Sequence, residues 1–227
     1  MTVATIVSTP ASAKLNPRAV MEFARAEVAR TVGLDSGARF YLAGGAFKSL
    51  LTGRQPHDLD IWAPSAGDRD AVVRALLGNG AQPLPSTPFA AVFAIADRVV
   101  EVPTKISPAT LAARLARFDL GLSAIGAEHQ PRDQWTALID PKALESLQRQ
   151  EILLLDELPN WRHGLATLER MRRYAAELGF TSPPEEEARI WRMFAGLARE
   201  EQDAMVERFC QARRGGFGVS EEVERWR

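Results

Sequence analysis

The sequence predicts a mixed α/β domain up to about residue 140, followed by an all-helical region over residues 141–227. Two observations support this fold class. In the first part, short apolar runs bounded by glycine and proline, which are typical of buried strands, alternate with helical patterns. After Glu151, helical patterns follow one another without strand patterns between them. The 46% hydrophobic and 25% charged residues are ordinary for a globular protein.

The elements follow from these patterns in chain order. The first part begins with an arm over residues 1–17. A helix capped by Asn16 follows and extends to Val32. The arm and the helix together form the first segment of the domain, residues 1–35. Apolar runs predict strands beginning at Phe40 and His57. They are followed by a helix over 68–77, strands over 89–96 and 98–105, and a short helix over 110–116. The second part contains helices over 143–149, 161–179, 185–200, 201–213 and 220–227, with a glycine hinge over 215–218.

Composition narrows the class of protein. The net charge of −1 gives no global signature of nucleic-acid binding, so that any RNA-binding surface must be a local patch. The single cysteine excludes an intrachain disulfide. The sequence contains neither an apolar run of the roughly 18 residues that a membrane span needs nor the pattern of a secretion signal. We therefore expect a cytoplasmic protein without a membrane span, whose oligomeric state the sequence does not indicate.

The stretch from Phe40 to Pro64 carries the pattern with chemical meaning. Gly44-Gly45 follow the first strand, where the backbone must turn tightly or approach another group closely. Asp58 and Asp60 are two apart on a strand and point to one face, where a hard divalent cation would remove their repulsion. A phosphate-binding glycine turn opposite paired carboxylates predicts metal-assisted phosphoryl or nucleotidyl transfer. The alternative is a glycine loop beside two solvent-facing acids.

Two further features lie outside this stretch. Glu101 interrupts an otherwise apolar strand, where an acid needs a partner if it is buried and is a plain surface residue if the strand is an edge. A basic cluster lies on the helix over residues 161–179, with aromatic residues interleaved. The alternative for each of its arginines is a solvated helix face. The cluster comprises Arg162, Arg170, Arg172 and Arg173.

With these residues in view, the chain resembles the polymerase β-like nucleotidyltransferase superfamily, in its branch of tRNA nucleotidyltransferases and bacterial poly(A) polymerases. The head-domain signature of that branch is Gly-Gly, a short helix ending in Leu-Leu-Gly, and then Asp-x-Asp. The order is kept here by Gly44-Gly45, Leu51-Thr52-Gly53 and Asp58-Leu59-Asp60. The sequence departs at Lys48-Ser49, where the branch usually has Arg-Asp.

The resemblance extends, less specifically, over residues 40–180. Residues 117–124 resemble the branch motif Arg-Arg-Asp-Phe-Thr-Ile-Asn-Ala, with Asp119 as the acid, Arg117 as part of the charge and Ser123 in place of the asparagine. Residues 168–180 resemble the pattern of the neck helix, which packs beside the nucleotide in relatives and here contains Arg170 and Arg173.

The resemblance implies a nucleotidyltransferase head domain followed by a helical neck. The implied reaction transfers a nucleoside monophosphate from an NTP to a hydroxyl acceptor, for which the 3′ end of RNA is one candidate. Alternatives are nucleotidylation of a protein or small molecule, and a catalytically silent nucleotide- or RNA-binding module. The implied catalytic residues, which would hold Mg²⁺ or Mn²⁺, are Asp58, Asp60 and Glu101. The implied nucleotide-binding residues are Gly44, Gly45, Lys48, Arg117, Asp119, Arg170 and Arg173.

Overall fold

The computed structural model describes residues 15–211 and 217–226. The chain divides into two compact units. The first holds the chain up to Ala116 together with Ser123–Asp140, and the second holds Arg117–Leu122 and the chain from Pro141 onward. Nothing in the sequence patterns indicated that residues 117–122 group with the second unit. Residues 1–14 of the arm predicted over 1–17, residues 215–216 of the glycine hinge predicted over 215–218 and residues 212–213 of the helix predicted over 201–213 lie outside the described residues.

A mixed sheet of seven strands forms the core of the first unit. Its strands are β1 (Phe40–Ala43), β2 (Asp58–Trp62), β3 (Gln82–Leu84), β4 (Ala90–Ile95), β5 (Arg98–Pro103), β6 (Ile125–Gln130) and β7 (Gln134–Ile139). The order is β3-β4-β5-β2-β1-β6-β7, and every pairing is antiparallel except that of β2 with β5. The α/β fold class predicted from the sequence is confirmed.

Three of the four described helices of the first unit begin at a side-chain cap, namely Asn16, Ser65 and Thr110. The four helices are α1 (Pro17–Arg30), α2 (Ser49–Thr52), α3 (Ala66–Gly78) and α4 (Leu111–Leu115). The Asn16 side chain accepts a hydrogen bond from the Ala19 amide at 3.0 Å, which satisfies one of the amides that a helix start leaves without a partner. The apolar stripe of α1 is buried and includes Val20, Ala24 and Val28.

Three strands were not predicted from the sequence. β3 lies in a proline-rich stretch without a strand pattern, yet it pairs with β4 at the edge of the sheet. β6 is buried at nearly every position although it contains Glu128 and His129, so that it lacks the apolar alternation that identifies a strand. β7 pairs with β6 and forms the other edge of the sheet.

The second unit is helical, with α5 (Pro141–Arg149), α6 (Gly164–Leu178), α7 (Pro184–Ala195), α8 (Arg199–Gln211) and α9 (Val219–Trp226). Its core contains Leu165, Leu168 and Met171 from α6 and Phe194 from α7. The helix predicted over residues 185–200 was too long, because the chain leaves α7 at Gly196 and begins α8 after it. Within residues 15–211 and 217–226, no helix combines the length and apolar character that crossing a membrane requires.

The missing side chain of Gly126 lets α4 lie against the sheet. A Cβ atom at this position would come within 2.8 Å of Leu111 Cδ1 and 3.2 Å of Leu115 Cδ2, both on α4. It would also lie 3.0 Å from the Cβ of Ala43 on the neighbouring strand β1. Because Leu111 and Leu115 are buried, there is little room for them to move aside.

We therefore expect Gly126→Ala to lower the free energy of unfolding by about 1–3 kcal/mol, the usual cost of overpacking. Urea denaturation followed by circular dichroism measures the change. Gly78→Ala is the matched control, because a Cβ at that helical position meets nothing within 4 Å. The control should leave stability unchanged or slightly raised. Equal midpoints for Gly126→Ala and the wild-type protein would contradict the close approach of α4.

Candidate active site

The predicted catalytic carboxylates share one face of the sheet. In the parallel pairing of β2 with β5, Asp60 lies opposite Glu101 and Asp58 lies opposite Val99. Paired residues of neighbouring strands point to the same face, and such strands are about 4.8 Å apart. Asp58 is exposed, whereas Asp60 and Glu101 are half-buried. The alternating residues of β2, Leu59 and Ile61, are fully buried on the other face, as the sequence predicted.

The chemistry of these acids suits a divalent cation. Carboxylate oxygens are the ligands that Mg²⁺ prefers, and three such groups on one face repel one another without a cation. Among the described residues, no group of three or more His, Cys, Asp and Glu side chains is already gathered so that it could hold a metal ion. The role of Asp58, Asp60 and Glu101 as ligands therefore stays a prediction.

The glycine turn lies at the Asp58 end of β2, because β1 is antiparallel to β2 with Leu42 opposite Ile61. Gly44 has a φ of 117°, a conformation that favours glycine. Its amide donates a hydrogen bond to the Ile125 carbonyl at 3.0 Å. The Gly44 amide is thus used within the sheet, and contacts to a phosphate would fall to other groups of this turn.

After Gly44 the chain forms a 3-10 turn over Gly45–Lys48 and then enters α2. The family signature implies a short helix at this place, and the structure has a tighter turn before it. Lys48 is half-buried at the end of the turn. Gly45 and Lys48 therefore lie on the segment that joins β1 to α2, and their nucleotide-binding role stays a prediction.

Asp119 ties residues 117–122 to α6 within the second unit. Its buried carboxylate accepts hydrogen bonds from Thr167 Oγ1 at 2.7 Å and from Arg170 Nη1 at 2.8 Å. Burial opposes the charged form of this carboxyl, but the charge of Arg170 and the Thr167 hydrogen bond outweigh it and hold its pKa below the usual value. Beside it, the exposed Arg117 accepts a hydrogen bond at its carbonyl from Asn160 Nδ2 at 2.8 Å.

The arginines of the basic cluster on α6 have acidic partners. Arg170 pairs with Asp119 as described, and Arg173 donates from Nε to Glu169 at 3.2 Å and from Nη1 to Glu177 at 3.3 Å. Arg172 pairs with carboxylates of α7 and α9, namely Glu187 and Glu222. The cluster is therefore largely neutralised within the unit. The predicted contacts of Arg170 and Arg173 with a nucleotide remain predictions.

Sequence reasoning missed Arg114 and Trp62. The guanidinium carbon of Arg114 lies 3.8 Å from the centre of the Trp62 ring, and the residue is only 8% exposed. Trp62 is on the same face of β2 as Asp60, two residues further along. The signal was present in the sequence, because Arg114 falls at helical spacing between Leu111 and Leu115, where an apolar residue is expected.

We expect Asp119→Asn to destabilise the second unit by about 2–4 kcal/mol at neutral pH, because it leaves Arg170 without its charge partner. The pKa of the Asp119 carboxyl is lower in the folded protein than in the unfolded chain, where it is about 4. Its charge therefore contributes its full stabilisation above about pH 4, and this contribution is lost as the pH falls through the pKa of the folded state. The difference between wild type and variant should therefore shrink below about pH 4.

Urea denaturation at several pH values measures this difference. Asp156→Asn is the matched control, since the Asp156 side chain is 91% exposed and 3.7 Å from Lys142. It should cost less than about 1 kcal/mol. A difference between Asp119→Asn and wild type that is constant from neutral to acidic pH would show that the charge of Asp119 does not stabilise the unit.

Several solved structures share this fold. A tRNA-processing enzyme in an apo form has 21% identity and a TM-score of 0.61, over 93% of this chain and 57% of that chain. A tRNA nucleotidyltransferase complexed with a primer tRNA and an incoming ATP analogue has 19% identity and a TM-score of 0.57, and the match covers 91% of this chain and 59% of that chain. The Thermotoga maritima CCA-adding enzyme complexed with tRNA has 14% identity and a TM-score of 0.58, over 94% and 52%.

No family model and no curated protein matches the sequence. The chain spans between 52% and 59% of the length of the three solved structures. At these identities the likeness concerns the fold and not the activity. The chain therefore has the fold of the tRNA nucleotidyltransferases, with a head domain of the kind that its Gly-Gly and Asp-x-Asp signature predicted.

Proposed function

We propose that this chain is a nucleotidyltransferase that transfers a nucleoside monophosphate from an NTP to a hydroxyl of an RNA acceptor. The observation that carries the proposal is the register of β2 and β5, which sets Asp60 beside Glu101 and leaves Asp58 on the same face. The fold supports it, because similar structures include a complex with a primer tRNA and an incoming ATP analogue.

In the proposed reaction, the acceptor oxygen attacks the α-phosphorus of the NTP. The bond from that phosphorus to the bridging oxygen breaks, and pyrophosphate leaves. Asp58, Asp60 and Glu101 would hold Mg²⁺, or Mn²⁺ in its place. When bound, such a cation lowers the pKa of the attacking hydroxyl and neutralises charge on the triphosphate.

The other residues would bind and orient the nucleotide. Lys48 would supply positive charge beside the glycine turn, and an ammonium contacts phosphate as a point charge without the planar fork of an arginine. In the second unit, Asp119 holds Arg170 by a short ion pair and so restricts its rotamers. Of the other two proposed nucleotide-binding arginines, Arg173 is held by Glu169 and Glu177, whereas Arg117 is exposed.

One assay separates the proposed function from its alternatives. The protein is incubated with each α-labelled NTP and Mg²⁺, in the presence of total RNA or of cell lysate depleted of RNA. Label in RNA is the expected result. Label in a protein or small molecule would mean another acceptor, and absence of label with retained nucleotide binding would mean a silent binding module.

Asp58→Asn and Asp60→Asn should each lower transfer by about 100-fold or more, because each removes a charge that a hard cation needs. The fold should survive, and for Asp58→Asn, whose carboxylate is exposed, stability without metal should hold or rise, since repulsion among the acids falls. Activity and thermal unfolding in EDTA measure the two effects. The exposed Asp35→Asn is the control for loss of an acid elsewhere. A large loss of metal-free stability in both variants would instead make these acids structural.

Glu101→Gln should lower turnover by a similar factor, about 100-fold, because the amide keeps the shape of the side chain and lacks its charge. Additional Mg²⁺ should restore little activity, since the ligand itself is changed. Steady-state kinetics over a range of Mg²⁺ concentrations measures both effects. Turnover near that of the wild-type protein would remove Glu101 from the proposed metal site.

A further inference from the structure

Two of the described arginines are buried, and they lie on opposite faces of the sheet. Arg98 is 4% exposed, and its Nε donates to Glu27 at 2.8 Å, so that it has a buried carboxylate partner on α1. Arg98 and Glu101 are three residues apart on β5 and therefore point to opposite faces. Arg114 is 8% exposed and lies on the face of Glu101.

Helix α4 holds Arg114 in this place. Leu111 and Leu115 pack where Gly126 leaves space on β6, and Arg114 is three residues after Leu111, on the same side of the helix. Its guanidinium lies 3.8 Å from the centre of the Trp62 ring, a distance at which a cation is attracted to the face of the indole. The charge is thus held at one position, in contrast to that of a lysine on a flexible stem.

The stack on Trp62 brings this charge to the carboxylate face. Alternate residues of a strand are about 7 Å apart, and Trp62 follows Asp60 on the same face at this spacing. The pairing of β2 with β5 adds Glu101 to that face. Another acid on the face, Glu128 on β6, already accepts a hydrogen bond from Arg39 Nε at 2.6 Å. Of the predicted metal ligands, Asp60 and Glu101 are the two that the register places nearest to Trp62, so that the stacked Arg114 brings its charge to their part of the face.

A buried guanidinium is costly unless negative charge lies near it, and carboxylates on one face are costly unless positive charge lies near them. We propose that Arg114, stacked on Trp62, is a positioning residue whose charge compensates Asp58, Asp60 and Glu101 before the nucleotide and its metal arrive. This inference rests on the proposed function for the role of the acids. Arg114 acts through the carboxylates and does not itself touch the substrate.

A double-mutant cycle tests the proposal without any activity assay. Thermal unfolding is measured for the wild type, Arg114→Gln, Asp60→Asn and the double variant, each in EDTA and in Mg²⁺. In EDTA, Arg114→Gln should lower the midpoint by roughly 3–8 °C, and by less than half of that in the Asp60→Asn background. Mg²⁺ should raise the midpoint of Arg114→Gln more than that of the wild type, because the metal replaces the lost charge.

Two controls accompany the cycle. Arg114→Lys keeps the charge and should retain most of the midpoint in EDTA. The pair Glu27→Gln with Arg98→Met removes the buried guanidinium from the opposite face, and its midpoint should not respond to Mg²⁺ more than that of the wild type. In the transfer assay, Arg114→Gln should lower kcat at least about 10-fold and leave the KM for the NTP near its wild-type value, as a residue that touches no substrate would.

Equal losses from Arg114→Gln in both backgrounds, with no extra response to Mg²⁺, would overturn the proposal and leave Arg114 as a packing partner of Trp62. If Arg114→Gln does not fold in EDTA but folds with Mg²⁺ or with Asp60→Asn, the proposal is supported. If it folds under none of these conditions, the proposal is overturned. Coupling to Asp60 without any response to Mg²⁺ would count against the proposed metal and not against the role of Arg114.

Discussion

The parallel pairing of β2 with β5 is the contact on which the candidate active site depends. It sets Asp60 beside Glu101. The antiparallel pairing of β2 with β1 brings the glycine turn to the end of β2 at which Asp58 lies. A slip of one residue in β5 would turn Glu101 to the opposite face of the sheet and would turn Arg98 away from Glu27. Such a slip would also expose buried valines of β5, and a slip in β2 would bury its acids. The hydrophobic core therefore determines which carboxylates meet.

Acidic side chains recur on this face of the sheet. The buried Glu128 on β6 lies on it and accepts a hydrogen bond from Arg39. On other elements, the buried Glu27 and Asp119 pair with Arg98 and Arg170. On the carboxylate face, three acids share the strands β2 and β5. A protein with a net charge of only −1 thus concentrates negative charge at one place. Such a concentration is destabilising in itself and favours the binding of cations.

Local sequence patterns predicted those parts of the molecule in which periodicity and burial agree. The alternation of β2 and the cap of α1 are of this kind, and so is the face that Asp58 and Asp60 share. β6 was not predicted because the buried Glu128 and His129 form hydrogen bonds with residues distant in sequence, Glu128 with Arg39 and His129 Nδ1 with the Ala38 carbonyl. For the same reason the partners of Asp119, which lie 48 and 51 positions further along the chain, could not be identified from spacing. Tertiary contacts decide such positions.

The charges of the second unit indicate which of its arginines could contact the phosphates of an RNA acceptor. An RNA phosphate that approached Arg172 or Arg173 would have to displace carboxylates, and those carboxylates would then repel it. Counterion release strengthens binding only where a cation can turn to phosphate at little cost. Arg162 is exposed, with its guanidinium 5.1 Å from the Trp161 ring, and Arg117 is exposed on the segment held by Asp119. An electrostatic contact with an RNA acceptor is therefore to be sought at Arg117 and Arg162 rather than along the paired arginines of α6.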